Sequence, residues 1–318
     1  MHLLKRFRAA TLAVLALGFL LSGGHSALAQ NGPFVFITHW GLSTDRPVPA
    51  DYTGDMAADI AIFRPSDSNW WVKDLFSNSH FAVNWGLASD ICVPADYDGD
   101  GKADVAVYRP SDGNFYVLRS SNNTVGILYI GSALEDVPQP GDYDGDNKAD
   151  AAVWRPSTGQ WLIRQSSNNE VRVQQWGLET DTPVAADYDG DNKTDIAVWR
   201  PSEGNWYIIR SASGGVAIQW GLSTDKVIPA DYDGDNKTDI AVFRPSENNW
   251  YILQSSVNTM RVVNWGDINT LGDQLVPADY NGDCAADIAV WRPSEGNWYV
   301  LESDGPCTAT RPLPREDN

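Results

Sequence analysis

The stretch Asp187-Tyr188-Asp189-Gly190-Asp191-Asn192-Lys193-Thr194-Asp195-Ile196-Ala197-Val198 is one of six related copies, and its recurrence decides the fold. The first Asp of each copy falls at Asp51, Asp96, Asp142, Asp187, Asp231 and Asp279, at intervals of 45, 46, 45, 44 and 48 residues. A period near 45 matches a four-stranded propeller blade. Within a copy the carboxylates stand at the first, third, fifth and ninth positions. The four intact sets are Asp96, Asp98, Asp100 and Asp104; Asp142, Asp144, Asp146 and Asp150; Asp187, Asp189, Asp191 and Asp195; and Asp231, Asp233, Asp235 and Asp239.

Alternate side chains of a tightly curled loop converge on one point, and calcium takes six to eight oxygens at about 2.3–2.6 Å. The sixth position has to turn sharply, which accounts for Gly101, Asn147, Asn192 and Asn236 there, because Gly and Asn tolerate positive φ. One Asp-Gly cluster alone would be read as a turn; four intact copies at constant spacing read as calcium loops. The end copies depart from the pattern. The first keeps Asp51, Asp55 and Asp59 with Thr53 at the third position. The last keeps Asp279, Asp283 and Asp287 with Asn281 there, while Met56 and Cys284 occupy the turning position. Four strong calcium sites are expected, and up to six if these weaker copies also bind; atypical terminal repeats are common in such arrays.

Of the 42 acidic residues behind the formal charge of -19, 22 sit in the six loops. The acidity is therefore metal-site acidity, and the loops should repel themselves without a cation. No basic stripe supports nucleic-acid binding.

Residues 1–29 read as a secretory signal peptide: Lys5, Arg6 and Arg8, an apolar stretch over residues 9–21, then Ala27-Leu28-Ala29 as a cleavage site. The apolar stretch is too short for a spanning helix, which needs about 20 residues. The mature protein is expected to be a secreted, extracellular or periplasmic monomer without a membrane span. Residues 30–302 would form the repeat domain and residues 303–318 a tail. Cys284 and Cys307 flank the last repeat, which leaves two readings, a staple on the tail or free thiols; Cys92 has no evident partner.

Each repeat reads as four short strand-like stretches, at 184–187, 195–200, 205–210 and 216–220 in the fourth copy, separated by turn residues. Residues 34–40 match a fourth strand and residues 297–301 a third. The expected fold is therefore all-β, a six-bladed propeller closed by its N-terminal strand, which removes the edge an open array would expose.

The Asp loop with the strand behind it, as in residues 187–198, resembles the FG-GAP and VCBS repeats of bacterial secreted proteins and, more distantly, the propellers of integrin α-subunits. The resemblance spans residues 34–302. It implies a calcium-stabilised propeller used for adhesion or ligand binding, with the loop Asp residues as metal ligands. The chain departs from that family in having Trp-Gly and Arg-Pro-Ser where Phe-Gly and Gly-Ala-Pro are expected, and six blades where integrins have seven.

Two further stations recur. Arg64, Arg109, Arg155, Arg200, Arg244 and Arg292 each precede Pro-Ser. They either stack on an aromatic ring or pair with a loop carboxylate, or else form a cationic ring for an acidic polysaccharide. Trp40, Trp85, Trp176, Trp220 and Trp265 precede Gly, with Ile130 in the odd copy, and read as blade packing or as sugar-stacking platforms. Only His39 and His80 lie outside the leader, and no motif of a hydrolase, metalloprotease or phosphate loop is present. The expectation is a binding or adhesion module for a cell-surface protein or glycan and not an enzyme. A calcium-dependent lectin is the alternative, and a carbohydrate-active enzyme the more remote one.

Overall fold

The computed structural model describes residues 34–131 and 134–307, so the leader assigned to residues 1–29 lies outside the described residues. Six four-stranded antiparallel sheets follow one another along the chain. Five are continuous in sequence; the sixth joins Gln274–Leu275, Ile288–Arg292 and Asn297–Leu301 to the N-terminal strand Val35–His39, which pairs from Val35 against Leu301 to His39 against Asn297. The chain is a six-bladed all-β propeller closed by its N-terminal strand.

Burial explains the strand pattern. In the second strand Ile196–Arg200, Ile196, Ala197, Val198 and Trp199 are all buried, because this strand is sandwiched between neighbouring blades. An Ala sits fully buried at its second position in every blade (Ala61, Ala106, Ala152, Ala197, Ala241, Ala289), where the blades crowd together. The third strand, Asn205–Arg210, is more one-sided than its composition suggests: Trp206 and Ile208 are buried while Tyr207 is half-buried. The fourth, Gly214–Gln219, is largely exposed.

The first strand differs from the sequence reading. It is only two residues long, Thr182–Pro183 in the fourth blade, and begins before residue 184. The ladder then thins to a bond from Val184 N to Ala197 O and a bridge between Ala186 and Asp195. Pro47, Pro138 and Pro183 share this station. Proline cannot donate to a ladder and is tolerated on a strand with no inner neighbour.

The hydrophobic core lies between blades. Ala197, Trp199, Trp206 and Ile208 of one blade pack with Ile240 and Val242 of the next. The closing seam is packed alike, Ile60 and Ile62 against Trp291, Trp298 and Val300.

Candidate metal centres

Each Asp loop is tied to its blade from below by its second residue. Tyr52, Tyr97, Tyr143, Tyr188, Tyr232 and Tyr280 point inward, and each hydroxyl donates to the carbonyl four residues earlier, as from Tyr188 to Val184 at 2.6 Å. Tyr188 meets Trp206 edge-on at 6.4 Å, so the loop is anchored in the blade core.

The loop itself is wound around its first carboxylate. In the fourth copy Asp187 accepts from Gly190 N (2.7 Å) and Asp189 N (3.2 Å) on Oδ1, and from Asn192 N (2.8 Å) on Oδ2. This winding requires positive φ at the sixth position, found at Gly101, Asn147, Asn192 and Asn236 and also at Met56 and Cys284, so the end loops keep the same backbone. The ninth carboxylate, Asp195, accepts from Tyr188 N (2.9 Å) and from Ser211 N (2.7 Å).

Four groups of acids come together with one oxygen of each residue within 4.8 Å of the others: Asp96, Asp98 and Asp104; Asp142, Asp144 and Asp146; Asp187, Asp189 and Asp195; and Asp231, Asp233 and Asp239. They belong to the four intact copies. Asp100, Asp191 and Asp235, at the fifth position, and Asp150, at the ninth, stand outside these triads. Asp191 accepts from Lys193 N (2.9 Å) and from Ser211 Oγ (2.6 Å) instead. Among the described residues Asp51, Asp55 and Asp59 form no such triad, nor do Asp279, Asp283 and Asp287.

The third carboxylate tests whether a cation fits. One oxygen of Asp144 accepts from Ser167 Oγ at 2.6 Å, and one of Asp233 from Ser256 Oγ at 2.7 Å. The other oxygen, Oδ1, is buried without a hydrogen-bond partner in Asp98, Asp144, Asp189 and Asp233, the same atom in each intact loop. A buried carboxylate oxygen with no donor is costly. A hard cation with oxygen ligands satisfies it, and these residues fit calcium. The ninth carboxylates do not separate intact from end loops: burial foremost, with neighbouring acids adding, pushes Asp150, Asp195 and Asp239 up to about 6 and Asp59 and Asp287 up to about 7.

Serines that the sequence reading took only as turn residues support the loops. Ser120, Ser166, Ser211, Ser255 and Ser303 each donate a backbone N–H to the ninth carboxylate at 2.6–2.7 Å. The signal available in the sequence was their constant offset of sixteen residues from that Asp.

The loops also touch one another. Ala103, Ala149, Thr194, Thr238 and Ala286 each donate a backbone N–H to the carbonyl of the first Asp of the preceding loop, and Ala58 donates to Asp279, closing the circle, all at 2.6–2.7 Å. Lys193 lies across Gly145, where an added Cβ would come within 2.6 Å of Cε, and its Nζ donates to Asp144 O at 2.9 Å.

The opposite ends of the strands carry the Arg station. Each Arg forms a bidentate pair with an Asp nineteen residues upstream that belongs to none of the six Asp loops: Arg64 with Asp45, Arg109 with Asp90, Arg155 with Asp136, Arg200 with Asp181, Arg244 with Asp225 and Arg292 with Asp273. The Asp side chains are fully buried. Four of the guanidiniums also stack on a Tyr at 4.2–4.5 Å, such as Arg200 on Tyr207. The ring of six Arg is therefore structural. The partner is neither a loop carboxylate nor the aromatic alone, because an Asp in the preceding turn reaches the guanidinium first. The Trp-Gly residues are blade stitching: Trp40, Trp85, Trp176, Trp220 and Trp265 each donate Nε1–H to a third-strand carbonyl of the next blade at 3.0–3.3 Å.

Cys284 and Cys307 form a disulfide, with Cα atoms 5.5 Å apart, as the staple reading expects. Such a bond fits an oxidising compartment outside the cytoplasm. Cys92 is free, and burial foremost pushes its thiol up to about 12, which disfavours the nucleophilic thiolate. No helix among the described residues is long and apolar enough to cross a membrane.

The FG-GAP-like repeat model matches residues 187–242 and 231–290. No curated protein matches the sequence. Among solved structures, the fold is similar to that of an Agrocybe aegerita lectin that recognises non-reducing terminal N-acetylglucosamine, at 16% identity and a TM-score of 0.53 over 82% of this chain and 81% of that one. It is likewise similar to virginiamycin B lyase from Staphylococcus aureus (6% identity, TM-score 0.51, 82% and 86%) and to an auxiliary nutrient binding protein from Bacteroides ovatus (8%, 0.52, 84% and 76%). Identities this low speak for the architecture alone. The chain is a six-bladed β-propeller carrying FG-GAP-like repeats.

Proposed function

We propose that this protein is an exported calcium-loaded propeller that works by binding and not by turnover, holding a cell-surface protein or glycan on a scaffold that the metal makes rigid. The observation that carries the calcium part is the recurrence of one unpartnered buried oxygen at Asp98, Asp144, Asp189 and Asp233, each inside a triad of converging carboxylates. The binding part is supported by economy: the recurrent chemical groups of the repeats, the Asp loops, the Arg–Asp pairs and the Trp stitches, are all used in holding the blades. The disulfide and the signal-like leader support export.

When bound, calcium would supply positive charge at the centre of each intact loop. Asp98, Asp144, Asp189 and Asp233 would present their free oxygens to it, with the first and ninth Asp of the same triads beside them. The test is calorimetric titration of calcium into chelator-stripped protein. Four equivalents per chain are expected; absence of calcium uptake by folded protein would refute the metal reading.

A further inference from the structure

The six junctions between blades are not equivalent, and the closing one is one of two exceptions. At four junctions the Trp of one blade faces a Tyr of the next: Trp85 and Tyr116, Trp176 and Tyr207, Trp220 and Tyr251, Trp265 and Tyr299. At each the Tyr hydroxyl donates to an acid four residues earlier, Asp112, Glu203, Glu247 or Glu295, so the polar end of the ring is already engaged. Another junction is apolar, with Ile130 and Leu162 at these stations.

At the closing junction the pair is Trp40 and Trp71. Trp40 Nε1 donates to Trp71 O at 3.0 Å, but Trp71 has no hydroxyl, and its own buried Nε1 has no partner. A groove of about 350 Å³ opens there, lined by His39, Trp40, Leu42, Arg64, Trp71 and His80. Its size is at the low end of small-molecule sites. It holds both described histidines. His80 meets Trp40 edge-on at 5.9 Å, and neither imidazole makes a side-chain hydrogen bond within the described residues. Three of the five residues matching His39 in other blades do: Asn84 Nδ2 donates to Asp67 O at 2.7 Å, Gln175 Nε2 to Thr158 O at 2.5 Å and Asn264 Nδ2 to Glu247 O at 2.8 Å, whereas Tyr129 and Gln219 resemble His39 in making none within the described residues. Lys73 spans the junction to Thr38 Oγ1 at 3.0 Å, fixing the two blades in register around the groove.

We infer that the closing junction is a single binding site for a neutral glycan, taking one or two sugar rings; this deepens the binding reading above and rests on it. The apolar face of a sugar ring stacks on indole, and free imidazole nitrogens donate to or accept from its hydroxyls. Arg64 is already neutralised by Asp45, and the other residues lining the groove include no acid and no lysine, so the fitting ligand is uncharged.

The test uses the full mature chain in millimolar calcium, titrated by calorimetry and by protein-observed NMR. The probes are the methyl glycosides of glucose, galactose, mannose and N-acetylglucosamine, with N-acetyltryptophanamide as a probe for an aromatic peptide. The variants are the His39→Gln/His80→Ala double variant and Trp71→Tyr, which installs the Tyr of the other junctions within reach of Asp67. One equivalent of at least one glycoside is expected, weakened about tenfold or more in both variants with an unchanged melting temperature. Four or more equivalents, affinity indifferent to both variants, no glycoside binding by folded protein, or binding of N-acetyltryptophanamide alone would each overturn the site. The calcium titration stands apart: loss of calcium binding with glycoside binding intact refutes the metal reading and leaves the groove, and the reverse result refutes only the groove.

Discussion

Loop four and loop six share a backbone and differ in how their carboxylates are held. In the fourth loop Asp189 keeps a buried oxygen with no donor, in a triad with Asp187 and Asp195. In the sixth, Asn281 takes the third position and its Nδ2 donates to Asp283 Oδ2 (3.0 Å) and to Ser303 O (3.2 Å). Gly305 N adds a bond to Asp283 Oδ2 at 2.7 Å, Cys307 N donates to Asp283 O at 3.1 Å, and the Cys284–Cys307 disulfide fixes the segment that brings these donors. One loop leaves its charge for a cation, and the other closes it with protein donors and a covalent staple. Loop one is intermediate: Thr53 N and Oγ1 turn to Asp59, and Leu75 stands where the supporting Ser of the other copies would be. A carboxylate cluster can thus be held in two ways on one backbone, and loop six uses protein donors where loop four leaves an oxygen without one.

Chelation should break the contrast most strongly. At a hundredfold excess over Kd each site contributes about 2.7 kcal/mol, so four sites give about 11 kcal/mol. At about 2–4 °C per kcal/mol for a domain of this size, calorimetry in EDTA should show a melting temperature lower by about 20 °C or more. Next comes the covalent staple. The Cys284→Ala/Cys307→Ala variant should lose about 3 kcal/mol in denaturant unfolding while still taking up four calcium ions, since the staple serves the loop outside the triads. Asp189→Asn gives loop four the amide of loop six. Calcium uptake should fall from four equivalents to three and stability in calcium by about 2 kcal/mol, whereas in EDTA the variant should melt slightly above the parent, having lost a repelling charge.

The smallest effect is the dependence on pH. Burial foremost holds Asp59 and Asp287 up at about 7, and Asp150, Asp195 and Asp239 at about 6, against about 3.9 in an unfolded chain. A carboxyl whose folded pKa is raised adds stability at low pH that is lost as pH rises through the folded value. Calcium-free protein should therefore melt a few degrees higher as pH falls through 7 and 6. Calcium-loaded protein should do the opposite, because protons displace the ion. Parallel slopes would show that the inner loops do not depend on metal.

Much of this was legible in the sequence because repetition makes weak signals add. The six Asp loops, the positive-φ station and the complementary half-repeats at 34–40 and 297–301 each recur or match, and the sheets follow them. What was not legible depends on contacts between stations. Asp181 recurs as faithfully as Arg200, but nothing in a linear reading says that a turn before the first strand meets the end of the second. The two-residue first strand was misplaced because the apolar stretch at 184–186 looks like a strand, whereas the ladder pairs fall at Thr182 and Pro183 just before it. The closing groove escaped notice for the opposite reason: Trp71, His39 and His80 are departures from the repeat, and departures acquire meaning only once the N-terminal strand is seen beside the first blade.

The backbone bonds between loops all run in one direction, each stem leaning on the carbonyl of the loop before it and Ala58 leaning on Asp279. In chain order there is a first loop and a last; around the axis there is neither. The carbonyl that receives each bond belongs to the Asp that opens a loop, so a loop that loosens withdraws support from its successor and its own grip on its predecessor together. The array resembles an arch more than a row of beads: its members stand because the circle is shut, and the N-terminal strand is the keystone that shuts it.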